Sequence, residues 1–150
     1  LVKQNLSGYP SGHHAVIAGD GTQPPWRPAA FARVLLDAPC TGLGALRRRP
    51  EARWRRDVKD LDELVPLQKQ LLATAVAAAL PAGVIGYVTC SPQLRETHEV
   101  IESVSPELVE ILPAAEYLPG VPNAADGDFV QLWPHRQQTD AMFLALLRRR

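Results

Sequence analysis

Two short apolar runs, Val34-Leu35-Leu36-Asp37 and Val84-Ile85-Gly86-Tyr87-Val88, constrain this chain more than any other feature. Each is apolar on consecutive positions, the pattern of a strand whose two faces are both covered by helices. Between them residues 60–80 read as a helix, with Leu64, Leu67, Leu71, Ala75 and Ala78 recurring at three- and four-residue steps. Pro66 is tolerable there only in the first turn, and Pro81-Ala82-Gly83 stops the run. Residues 15–18, closed by Gly19-Asp20-Gly21, read as a further strand, as do residues 109–112 and 142–147. Residues 1–8 look like the end of a helix stopping at Gly8, and Pro24, Pro25 and Pro28 hold an extended loop. Helices alternating with apolar strands predict an α/β fold, a three-layer sheet in a single domain of 150 residues.

Each central run hands one of the two cysteines to a turn: Asp37-Ala38-Pro39-Cys40-Thr41-Gly42 and Thr89-Cys90-Ser91-Pro92. In a doubly wound sheet the C-terminal ends of adjacent strands converge on one crevice, so Asp37, Cys40 and Cys90 can meet across a substrate. Ser91-Pro92 reads as an N-cap followed by proline at the first helical position. A helix starting there would favour a Cys90 thiolate and make the sulfur a usable nucleophile. The same two cysteines read equally as small buried hydrophobes.

Two cysteines do not make a disulfide framework, and no charged-then-apolar leader opens the sequence, so a reducing cytoplasm is the expected compartment. A regulatory Cys40–Cys90 disulfide requires that the two thiols face each other. His13, His14, His98 and His135 form no close-spaced ligand pair with either cysteine, so no metal is expected. The apolar run at residues 71–88, within the longest uncharged stretch, is broken by Pro81, Gly83 and Gly86 and does not read as a membrane span.

Formal net charge is zero, which excludes nucleic-acid binding by bulk charge alone. The balance is uneven: residues 43–60 read as a long polar and basic loop with little apolar periodicity, and within it residues 47–56 carry six arginines against one glutamate. Such a patch serves phosphates even on a neutral protein, or is a solvated arginine-rich loop.

The two cysteine segments resemble the paired signatures of RNA cytosine-5 methyltransferases that use S-adenosylmethionine. The closer likeness is to the bacterial Sun/Fmu (RsmB) family, which modifies 16S ribosomal RNA. Arg47-Arg48-Arg49-Pro50 with Trp54, Leu67-Gln68, Leu132-Trp133-Pro134-His135-Arg136 and Thr139-Asp140 agree with it, and the likeness runs through essentially the whole chain. DNA cytosine methyltransferases share a Pro-Cys motif but lack the Thr-Cys partner. One departure is Asp140-Ala141-Met142-Phe143, where the family usually has Asp-Gly-Phe-Phe.

The resemblance implies a Rossmann-like S-adenosylmethionine-dependent methyltransferase fold. It assigns Cys90 as the nucleophile that adds to cytosine C6, so that C5 becomes an enamine-like carbon able to take the methyl group. Asp37 would hydrogen-bond the cytosine edge, and Cys40 would assist the loss of the C5 proton and the release of the RNA. Asp20, Asp37 and Pro39 would lie beside the cofactor, although Asp20 before glycine also reads as a plain turn-former. Arg47, Arg48 and Arg49 would hold RNA phosphates, and the target base must leave its stack to reach Cys90.

The family's glycine-rich cofactor loop is missing from these residues, together with the strand before it and the strand after it. The resemblance therefore implies that residues 1–150 are the C-terminal portion of one catalytic domain. Of the family strand order 3-2-1-4-5-7-6, the first two strands are absent, leaving an incomplete fold with little activity by itself. The strands at 15–18 and 34–37 would then no longer be neighbours, and exposed edges invite pairing with another copy. Two other functions fit the residues: a non-catalytic RNA-binding or interaction module that kept the fold, and a thiol-redox protein, which the lack of Cys-x-x-Cys disfavours.

Overall fold

The computed structural model describes residues 2–9 and 14–150. Val2–Asn5 forms one helical turn (α1), and the chain turns out of it through Leu6, Ser7 and Gly8. Among the histidines read from the sequence, His13 lies outside the described residues. Residues 15–18, expected as a strand, are extended but unpaired, with Val16 46% and Ile17 61% exposed. A strand is held by neighbours on its edges, and no described strand lies beside this segment.

Six strands build one sheet: β1 (Phe31–Asp37), β2 (Ala79–Thr89), β3 (Val109–Leu112), β4 (Ala125–Asp126), β5 (Phe129–Gln131) and β6 (Phe143–Arg149). β1 and β2 are parallel, while β6 runs antiparallel to β2 on the side away from β1. The far edge of β6 is shared: β3 pairs with Leu146–Arg149 and β5 with Phe143 and Leu144. The order β1-β2-β6-β3 is the 4-5-7-6 portion of the expected arrangement, and β1 has no described strand on its outer edge. The β4–β5 hairpin went unread, although Asp126-Gly127-Asp128 is a turn signal and Gly127 sits at φ 60.

Parallel neighbours need a long crossover, and here it carries α2 (Ala52–Arg55) and α3 (Asp60–Ala78). The stretch 43–60, expected as a plain loop, thus contains α2 and a 3-10 turn at Leu43–Ala45. Asp60, Asp62 and Glu63 fill the first turn of α3, where the helix dipole favours negative charge. Pro66 lies inside the helix and not in its first turn. Both Pro66 and Asp62 are exposed, so the carbonyl that proline leaves without a donor meets solvent.

The buried stripe of α3 is Leu61, Val65, Gln68, Leu72, Ala75 and Val76. Of the expected stripe, Ala75 and Ala78 are buried, but its leucines lie one residue off the buried face: Leu64 and Leu71 are half-buried and Leu67 is exposed. The stripe that wins packs over the sheet against Ile85, Tyr87, Phe143, Ala145 and Leu147, with Val100 and Ile101 of α4 (His98–Ile101). The opposite face has a smaller cluster of Ala114, Ala124 and Val130 under Leu132, Leu144 and Leu146. No described helix covers β1 there, and Leu35 is 75% exposed, so the expected covering of both faces fails at this edge. On that face the described cover is the short 3-10 turn at Ala114–Tyr117 and its neighbours over β5 and β6, so the third layer is partial where full covering was expected.

Candidate active site

Strand pairing builds the site. Asp37 ends β1 opposite Val88, and the Ala38 N–H donates to the Val88 carbonyl at 2.9 Å. The two parallel strands therefore end side by side, and the turns that follow bring Cys40 Sγ to 3.4 Å from Cys90 Sγ. Both are free, half-buried thiols, so the thiols do face each other. The Asp37 carboxylate stands exposed at the strand end, with no hydrogen-bond partner among the described residues.

The two sulfurs are shifted in opposite directions. The Cys40 S–H bond lowers Cys90 from its ordinary value to about 7, helped by the Cys90 backbone N–H and opposed by burial and by Asp37 and Asp140. Cys40 is pushed far up by the same contact and by its deeper burial. The two shifts run in the direction of a Cys90 thiolate accepting from a Cys40 thiol. The expected cause differs, because no helix begins at Ser91-Pro92. Residues 91–93 are extended, a 3-10 turn forms at Leu94–Glu96, and α4 starts only at His98. The Ser91 hydroxyl is engaged elsewhere: it donates to the Glu96 carboxylate at 2.5 Å and accepts the Gln93 N–H at 3.2 Å.

Beneath the thiols, Glu96 is fully buried and was missed in the sequence. Its Oε1 accepts the Thr41 N–H at 2.8 Å and Gln68 Nε2 at 3.1 Å. Its Oε2 accepts the hydroxyls of Thr41 and Ser91, each at 2.5 Å. Gln68 Nε2 also donates to the Pro39 carbonyl at 2.8 Å, and Tyr87 donates its hydroxyl to the Glu96 carbonyl at 2.7 Å.

A third segment closes the site. Gly44 donates to the Cys90 carbonyl and accepts from Ala141 N–H, both at 2.9 Å, stitching the Cys90 turn to the loop of Asp140. Arg48 binds Asp140 Oδ2 through Nε at 2.8 Å and Nη2 at 2.5 Å. This pair holds the Asp140 carboxyl below its ordinary range, while Asp140 Oδ1 is buried without a partner.

Arg47 and Arg49 are exposed and make no ion pair among the described residues, and Trp54, 82% exposed, carries the Arg53 guanidinium 5.2 Å from its ring centroid. Asp20 is exposed too. Its Oδ1 accepts both the N–H and the hydroxyl of Thr22, at 2.9 and 2.8 Å, which holds its carboxyl below the usual value. Asp20 therefore shapes a turn, and Pro39 is exposed in the Cys40 turn.

Among the described residues there is no cluster of three or more His, Cys, Asp or Glu side chains able to hold a metal ion. No described helix is long and apolar enough to cross a membrane.

Comparison with known proteins gives the family and the fold. A sequence model of the family described as 16S rRNA methyltransferase RsmB/F matches residues 1–148. A protein of Mycobacterium tuberculosis strain H37Rv, named as a candidate methyltransferase, is 48% identical over 151 residues, taking in 99% of this chain and 32% of its own. Ribosomal RNA small subunit methyltransferase B of Pectobacterium atrosepticum is 36% identical over 152 residues, 97% of this chain and 33% of that protein. The crystal structure of PH0851 superposes with a TM-score of 0.71 at 33% identity, over 80% of this chain and 27% of its own. The chain spans about a third of the length of the curated relatives it matches.

Proposed function

Since the chain belongs to the RsmB/F family of 16S ribosomal RNA methyltransferases, we propose that it carries the catalytic thiols for methylation of cytosine C5 in 16S ribosomal RNA, in the cytoplasm, through a covalent bond from Cys90 to C6. The observation that carries the reading is the 3.4 Å thiol pair at the ends of two parallel strands, with Cys90 the acidic member.

Cytosine C5 is a poor nucleophile until a thiolate adds to C6. Cys90, lowered to about 7, supplies that thiolate near neutral pH, and the exposed Asp37 carboxylate at the same strand end is free to hydrogen-bond the cytosine edge. S-adenosylmethionine supplies the methyl group when bound. Asp20, Asp37 and Pro39, which would line one side of its site, are exposed, and no glycine-rich loop joins a strand to a helix among the described residues. In the last step solvent at the half-buried thiols takes the C5 proton, the electron pair of the C5–H bond forms the C5–C6 double bond, and the pair of the broken C6–sulfur bond returns to Cys90 as thiolate. Cys40 assists by donating its S–H to the departing thiolate. Arg47 and Arg49, with Trp54 beyond them, face solvent where RNA phosphates and unstacked bases can reach them.

Incubating the protein that carries this sequence with RNA containing 5-azacytidine tests the proposal, because the adduct at C6 is then trapped. A denaturation-resistant protein–RNA band that disappears in Cys90→Ala is the expected result. No adduct from the wild type would refute the enzymatic reading and favour the RNA-binding module.

A further inference from the structure

We infer that Glu96 is the positioning residue that holds the Cys40 and Cys90 turns in catalytic register. The inference rests on the reading of Cys90 as nucleophile. Packing alone does not explain Glu96. A buried carboxylate is costly unless its lone pairs are filled, and even a well-paired buried ion adds little net stability over an apolar side chain. Glu96 has no cationic partner among the described residues, yet it is fully buried. Four donors offset that cost, and their origin is informative. Two come from Thr41, the residue after Cys40, and one from Ser91, the residue after Cys90. The fourth comes from Gln68 on α3, whose second N–H holds the carbonyl of Pro39, the residue before Cys40.

The carboxylate thus ties both turns to each other and to the crossover helix at a point one residue from each sulfur. Bonds of a hydroxyl to a carboxylate are short and roughly twice as strong as neutral ones, so the tie is stiff. The Tyr87 hydroxyl fixes the hub itself by binding the Glu96 carbonyl from the middle of β2. Stiffness matters because a sulfur-to-sulfur hydrogen bond tolerates little displacement, and catalytic groups lose effect when misplaced by about 1 Å.

The test uses Glu96→Ala and Glu96→Gln in the protein that carries this sequence, with folding checked by near-ultraviolet circular dichroism. The first readout is the pH dependence of Cys90 alkylation by iodoacetamide, located by mass spectrometry. Separated thiols lose the S–H bond to Cys90, so Glu96→Ala raises the midpoint by about one pH unit or more. Glu96→Gln lies between, since its amide keeps one acceptor oxygen and its N–H groups can donate to the Thr41 and Ser91 hydroxyls. Loss of a negative charge without loss of register shifts the midpoint the opposite way. A midpoint that falls or stays in folded Glu96→Ala therefore overturns the inference. The second readout is the rate of adduct formation with 5-azacytidine RNA, expected to drop about tenfold or more. A rate within about twofold of wild type also overturns it. If the wild type forms no adduct, the functional reading fails while the alkylation midpoint still decides the role of Glu96. If Glu96→Ala does not fold, Ser91→Ala removes a single donor and is read by the same sign, a smaller rise supporting and a fall or no change refuting.

Discussion

Replacing Gly44 by alanine tests the architecture of the site without reference to its chemistry. A Cβ at position 44 would lie 2.0 Å from the Ala141 carbonyl oxygen and 2.8 Å from that of Cys90. An ordinary carbon–oxygen contact is about 3.3 Å or more, so backbone must move by over an ångström. The obstacles are main-chain atoms, not the ends of flexible side chains. That movement breaks the two bonds Gly44 makes, to the Cys90 carbonyl and from the Ala141 N–H, in a region where Gly44 and Ala141 are both buried. Leaving buried polar groups unpaired costs about 1–3 kcal/mol each, so about 2–6 kcal/mol in all. The alanine returns about 0.4–1 kcal/mol by restricting the unfolded chain. The net loss is about 1–5 kcal/mol, centred on about 3 kcal/mol, and at that centre Tm in a domain of this size falls by about 6–12 °C. Thermal unfolding followed by circular dichroism measures it, with Gly120→Ala as the control because a Cβ there meets nothing within 4 Å. A Gly44→Ala variant that melts within about 2 °C of wild type would refute the reasoning, since the stitch between the two loops would then carry no stability.

Two further outcomes are expected. In Cys40→Ala the midpoint for Cys90 alkylation rises from about 7 toward the ordinary thiol value, because the Cys40 hydrogen bond is the largest influence holding it down. Near neutral pH the Cys90 alkylation rate therefore falls, and an unchanged midpoint would show that another group stabilises the thiolate. In calorimetry the 150 residues alone are expected to bind S-adenosylmethionine with little affinity, because no glycine-rich loop joins a strand to a helix among the described residues; tight, stoichiometric binding would contradict this.

The sheet was legible where local pattern and tertiary environment agree. Residues 34–37 and 84–88 are strands because consecutive apolar positions followed by a Pro-Cys or Cys-Ser turn leave little alternative, and both cysteines fell where the strand ends place them. Helix α3 exposed the limit of periodicity. Its sequence contains two apolar stripes one residue apart, through Leu61, Val65 and Leu72 and through Leu64, Leu67 and Leu71, and only packing over Tyr87 and Phe143 decides between them. Residues 15–18 have strand composition but no neighbour to pair with. Ser91-Pro92 has the local chemistry of a helix start, yet the serine hydroxyl is spent on Glu96. Glu96 itself sits among Leu94, Arg95, Thr97 and His98 in a stretch that reads as solvent-facing. Its burial depends on three segments, at residues 41, 68 and 91, that are distant in sequence and meet only in the fold.

The saturation of that carboxylate also governs how this sequence can drift. A lone change at Thr41, Ser91 or Gln68 leaves a buried anion short of a donor, and a lone change at Glu96 strands four donors from three residues at once. Neither step is neutral, so the four positions are exchanged together or not at all. Homologues that have given up the glutamate are expected to have given up a hydroxyl beside one of the cysteines too, and the pair would be visible as a compensated substitution across divergent lineages.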